Sequence, residues 1–280
     1  MKHLKKIQNF RWYDAVSFTL NRVLAGDHAN RLSDLVYGEA TRQTLDLYRP
    51  HQPRADHPLI VFVHGGSWQR GQKDDYVFLA QSLAQAGIYV ASVNYQYAPE
   101  AQFPVFVDDI TVAVNWLQQT DISQQYGYNR DKVILMGHSA GAFNIMSAIY
   151  GTTQQQRIEH FDGVRGLIGF AGPYSFEHRG DPIAKFAFAQ DVSPEVIMPS
   201  FHVYPNHLNH LLLMAEKDTL VKDENTYKMR QALQQVDNHV EIARIARTNH
   251  ISIIATVAKG IEKFYPTKPQ LLKFIDLTLQ

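Results

Sequence analysis

Lys132-Val133-Ile134-Leu135-Met136-Gly137-His138-Ser139-Ala140-Gly141 is an apolar run that ends in a Gly-x-Ser-x-Gly pentapeptide, and a helix-like stretch follows it. That order is the one a serine needs if it is to be held on a sharp strand-to-helix turn. The turn projects its hydroxyl away from the backbone, and the two glycines let strand and helix pass closely. Ser139 is therefore the expected nucleophile. A serine hydroxyl is weak at neutral pH, so it requires a base to take its proton and an acid to orient that base.

Both partners stand downstream. Leu211-Leu212-Leu213-Met214-Ala215 reads as a buried strand, and Asp218 lies in the loop after it, where an orienting carboxylate belongs. Asp223 and Glu216 are rivals, Asp223 also having the position of a helix N-cap. A further strand-like run, Val240–Ile245, leads through Thr248-Asn249 to His250, the expected base, ahead of His210 and His239 among the 13 histidines. The chain order is then serine, aspartate, histidine.

A tetrahedral oxyanion also needs donors. Pro58–Val63 is an apolar run ending in His64-Gly65-Gly66-Ser67-Trp68. The glycines allow backbone N–H groups to face a carbonyl oxygen as it gains charge. The expected donors are Gly65, Gly66 and Ala140, with Ser67 as an alternate and His64 holding the loop. Each such donor contributes about 3 to 4 kcal/mol to the transition state.

Around these motifs, apolar strands alternate with amphipathic helices. Tyr76, Leu79, Ala80, Leu83 and Ala84 form one helix face, and Phe106, Ile110, Ala113 and Leu117 another, with Ile88–Val93 between them. The expected fold class is α/β, a mostly parallel, doubly wound sheet with reactive groups at the carboxyl ends of its strands. Residues 37–280 read as one domain. The first 36 residues read as a helical segment packed on it, with Val16, Leu20, Val23 and Leu24 at near-helical spacing. The pattern loosens over about 171–206, where a short cap is expected, Pro182–Ala189 and Val192–Met198 forming two small helices. Trp68, Tyr95, Phe170 and Tyr174 lie next to strand ends and are the expected substrate-binding residues.

Lysine plus arginine and aspartate plus glutamate number 27 each, so no long-range attraction to nucleic acid or an anionic membrane is expected. No cysteine is present, which excludes disulfides and a thiolate nucleophile. Lys2, Lys5 and Lys6 precede no apolar core, so neither a signal peptide nor an integral membrane segment is read, and a cytoplasmic protein is expected. His202, His207 and His210 lack a carboxylate pattern, so no metal and no cofactor are expected. Self-association stays open.

From about Tyr37 onward the chain resembles the carboxylesterase-type α/β-hydrolases that carry a His-Gly-Gly-x-Trp oxyanion loop. Thr44–Tyr48, Asn94–Glu100 and Lys132–Gly141 carry the likeness. The second is similar to the Tyr-Arg-Leu-Ala-Pro-Glu segment of hormone-sensitive-lipase-like esterases, with Gln96 and Tyr97 in place of its usual residues. His-Gly-Gly-x-Trp is also the pattern of kynurenine formamidases, which hydrolyse an N-formyl amide. The resemblance implies the α/β-hydrolase fold and a serine hydrolase working through an acyl-enzyme on a small-molecule ester. The alternative is an N-formyl amide, and a minor alternative is a hydrolase fold that binds a ligand without turnover.

Overall fold

A computed structural model describes residues 30–152 and 157–280. The helical reading of residues 12–24 lies outside them. Eight strands form one sheet: β1 Arg31–Val36, β2 Thr44–Tyr48, β3 Leu59–Val63, β4 Tyr89–Val93, β5 Val133–His138, β6 Val164–Phe170, β7 Asn209–Ala215 and β8 Val240–Ile245. Their order is β1-β2-β4-β3-β5-β6-β7-β8, antiparallel at β1 and β2 and parallel from β4 onward. The principal helices are α1 Val77–Ala84, α2 Val105–Leu117, α3 Thr120–Tyr126, α4 Ala140–Tyr150, α5 Glu224–Gln235 and α6 Thr267–Thr278.

The two-residue period of a strand sorts its side chains into two layers. Leu59, Val61 and Val63 face one core with Val133, Leu135 and residues of α2, α4 and α5, while Ile60 and Phe62 face the other with Ile134, Met136, α1 and α6. Burial on both faces is why β3 and β5 read as unbroken apolar runs rather than alternating ones. Register then aligns the strand ends. Val63 pairs with Val93 and Gly137, and His138 with Phe170, so the segments after β3, β5, β7 and β8 emerge along one edge.

Two expectations need correction. Arg31–Val36 is an edge strand, so the domain begins before residue 37. Its register shifts between Leu32 and Leu35, where Asp34 takes φ 56°, and this irregularity breaks the alternation that would have marked it. Within 171–206, Pro194–Ile197 makes a single helical turn, but Pro182–Ala189 forms only turns. There the Asp181 carboxylate caps the Ile183 and Ala184 N–H groups at 2.7 and 2.9 Å.

Candidate active site

Ser139 joins β5 to α4 at φ 53°, ψ −121°, a backbone region that costs about 1 to 3 kcal/mol and persists only where the surroundings impose it. The surroundings are close. A Cβ at Gly137 would lie 2.4 Å from the Gly141 carbonyl oxygen, and one at Gly141 would lie 2.1 Å from that of Val63. Only glycine fits on either side of the turn.

Asp218 and His250 sit on two loops tied together by backbone. Lys217 N donates to Thr248 O at 2.9 Å, and Glu216 N to Ile245 O at 3.2 Å. His250 Nδ1 is 2.8 Å from Asp218 Oδ2, and its Nε2 is 2.8 Å from Ser139 Oγ. A carboxylate only accepts, so Nδ1 carries the proton and Nε2 is free to accept from the serine hydroxyl. Burial works to raise the Asp218 carboxyl. The hydrogen bond and charge of His250, with the Val221 and Leu220 N–H groups, outweigh it and hold the carboxyl below its ordinary value. The arrangement can pass a proton from Ser139 to an imidazole whose positive form is stabilised from behind. Ser139 and His250 are each 8% exposed.

The rivals are engaged elsewhere. Glu216 accepts the Arg247 N–H at 2.7 Å, Asp223 pairs with Arg244, and His210 is buried against Tyr150. His202 and His207 each face a separate backbone carbonyl, of Val196 and Val164.

The expected oxyanion loop follows β3. His64 is buried, stacks on Tyr95 at 4.3 Å and faces the Gly65 carbonyl through Nδ1 at 2.7 Å; burial lowers its pKa to about 3 and keeps it neutral. Among the described residues, the N–H groups of Gly66 and Ala140 meet no hydrogen-bond acceptor. Gly65 departs from expectation, since its N–H donates to the Tyr76 hydroxyl at 3.2 Å. Tyr76 had been expected only on a helix face. Nothing in the sequence marks that its hydroxyl turns toward the loop.

The four expected substrate-binding aromatics are core residues in this structure. Trp68 is 3% exposed, donates from Nε1 to Asn144 Oδ1 at 2.9 Å, and sits among Phe106, Phe143, Phe176 and Phe188. Tyr95 gives its hydroxyl to the His64 carbonyl at 3.1 Å, Phe170 lies in the opposite core layer, and Tyr174 fills the space left by Gly169 and Gly172. Proximity to a strand end put them near the site, and interior packing took up their faces.

Comparison with known proteins agrees with this fold. The BD-FAE family model matches residues 45–176. A kynurenine formamidase of Danio rerio is 27% identical over 250 residues, covering 87% of this chain and 82% of the relative. A probable isoprenylcysteine alpha-carbonyl methylesterase of Oryza sativa subsp. japonica is 30% identical over 54% of this chain and 37% of its own length. Among solved structures, esterase B from Lactobacillus rhamnosis superposes with a TM-score of 0.78 at 17% identity, covering 99% of this chain and 97% of that one, a likeness of fold. The chain has the α/β-hydrolase fold and is similar to esterases and related hydrolases of the carboxylesterase type.

Proposed function

We propose that the chain hydrolyses small acyl or aromatic esters through an acyl-enzyme on Ser139. The observation that carries this reading is the unbroken Ser139–His250–Asp218 chain, with 2.8 Å at each contact. Ser139 Oγ attacks the ester carbonyl carbon and His250 Nε2 accepts its proton. The N–H groups of Gly66 and Ala140 receive the oxyanion, and Asp218 stabilises the imidazolium. His250 then protonates the departing alcohol, and water, deprotonated by the same imidazole, releases the acid. The low exposure of Ser139 and the aromatic packing beneath the cap favour a small acyl group.

A second reading is favoured by relatives that span most of the chain, the kynurenine formamidases of Danio rerio and Salmo salar. Formyl is the smallest acyl group, so an N-formyl amide suits the same site, His250 protonating a departing amine. Hydrolysis of p-nitrophenyl esters from acetate to dodecanoate, beside N-formylkynurenine and with Ser139→Ala as control, tests both. Ser139-dependent turnover falling with acyl length supports the ester reading. Deformylation without ester turnover replaces it, and activity kept by Ser139→Ala refutes both.

A further inference from the structure

His138, the variable residue before Ser139 in the elbow, is buried and has no part in the proton transfer. Its ring lies 5.2 Å from that of His250. His138 Nε2 is 2.8 Å from the His250 carbonyl oxygen, and Nδ1 is 2.9 Å from the Tyr76 hydroxyl. A carbonyl oxygen only accepts, so the proton is on Nε2 and Nδ1 is the acceptor. Tyr76 must then donate its hydroxyl proton to Nδ1, which leaves its oxygen to accept the Gly65 N–H at 3.2 Å. Every donor role is fixed along this chain: Gly65 to Tyr76, Tyr76 to His138, His138 to the backbone of His250. Burial, and then repulsion from His250, lowers the His138 pKa to about 3, so the ring keeps this tautomer at neutral pH.

The chain connects parts that the sheet alone joins only at a distance. Gly65 follows β3 and His250 follows β8, with β5, β6 and β7 between those strands. The Tyr76 ring is held against Phe62 at 4.9 Å. A Cβ at Gly65 would lie 3.1 Å from His138 Nδ1, so the bare glycine leaves room for the contact.

We propose that Tyr76 and His138 are positioning residues which lock the oxyanion loop to the loop of His250, so that oxyanion donors and base face Ser139 in one fixed register. The proposal rests on the assignment of Ser139 and His250 above. Neither residue touches the reacting atoms. The Gly65 amide serves this bridge and leaves the oxyanion to Gly66 and Ala140.

The test is the rate at which a small phosphonofluoridate labels Ser139, measured against probe concentration. It compares the intact chain, Tyr76→Phe, His138→Ala and the double variant. Phenylalanine keeps the packing on Phe62 and removes only the hydroxyl. Each single variant should lower the limiting rate about tenfold and leave the half-saturating concentration unchanged. The double variant should be no slower than the slower single one, because one chain is cut twice. His138→Gln, long enough to reach the His250 carbonyl, should recover part of the rate, and His138→Asn should not. Tyr150→Phe removes a similar buried pair, Tyr150 Oη to His210 Nε2 at 2.7 Å, near the start of β7. It should lower the unfolding midpoint and leave labelling unchanged. Losses that multiply in the double variant, a Tyr76→Phe rate equal to that of the unaltered chain, or an effect on half-saturation alone would overturn the bridge while leaving the nucleophile in place. Failure of the unaltered chain to label at Ser139 would overturn both.

Discussion

Ser139 is held in a backbone conformation that it would leave if the flanking contacts allowed, and Asp218 fixes the tautomer of the imidazole that faces it. Replacing Asp218 with Asn leaves the geometry but removes the requirement that Nδ1 be the protonated nitrogen. Turnover should fall by about 10⁴-fold. The same substitution has a thermodynamic signature. The Asp218 carboxyl titrates below its ordinary value of 3.8 in the folded chain, so its contribution to stability is fully present above that value and is lost as pH falls through the folded value. The stability gap between the parent chain and Asp218→Asn, read from denaturant titrations, should therefore narrow from pH 7 to pH 3. A constant gap would contradict the assignment of that carboxylate. That Ser139, Asp218 and His250 meet was legible in the sequence because each follows an apolar run, in the order serine, aspartate, histidine. The partner of the Gly65 N–H was not legible, because the Tyr76 hydroxyl that accepts it reaches the loop from a separate turn, a contact that spacing does not record.

At the scale of elements, the oxyanion loop and the cap meet at Trp68. Its ring is nearly parallel to that of Phe176 at 6.1 Å and meets Phe188 edge-on at 4.7 Å, and the Phe103 N–H donates to the Ala187 carbonyl at 2.8 Å nearby. Trp68 is thus one contact, beside that of Gln69 with the Ile183 carbonyl, between the loop proposed to carry the oxyanion donors and a segment with little regular structure of its own. Trp68→Ala should cost about 3 to 5 kcal/mol of stability, as removal of a buried aromatic does. A loss below about 1 kcal/mol, with a raised KM, would return Trp68 to the pocket wall. The sequence did not reveal the surroundings of this tryptophan, because the phenylalanines that enclose it come from α2, α4 and the cap. The same limit applies to β1, whose bulge removes the alternation that identifies a strand, and to Pro182–Ala189, where Asp181 ends the helical pattern in turns. Strands β3, β4, β5 and β7 were legible because burial on both faces leaves continuous apolar runs, and β8 was read from Val240, Ile242 and Ile245 although Glu241 and Arg244 interrupt it.

For the whole molecule, the two core layers enclose several polar rings. His64 and His138 have pKa values lowered to about 3 and His210 to about 4, with burial the leading cause in each. In the unfolded chain they return toward 6.5, so below that value the unfolded state binds more protons and stability rises with pH. Three such groups give a slope of up to about 4 kcal/mol per pH unit between pH 6 and pH 4, since each proton contributes about 1.4. Urea unfolding at pH 7 and pH 5 should show a clear loss at pH 5, and equal stabilities would mean that these rings are not buried neutral. The account as a whole depends on the single serine to which the sheet edge, the oxyanion loop and the base all converge. Its most direct measurement is intact-mass analysis of the folded chain after reaction with a small phosphonofluoridate, followed by peptide mapping. One adduct per chain on Ser139, absent from Ser139→Ala and strongly slowed in His250→Ala, is the predicted result. An adduct on another serine of the folded chain, or labelling that persists in Ser139→Ala, would contradict it.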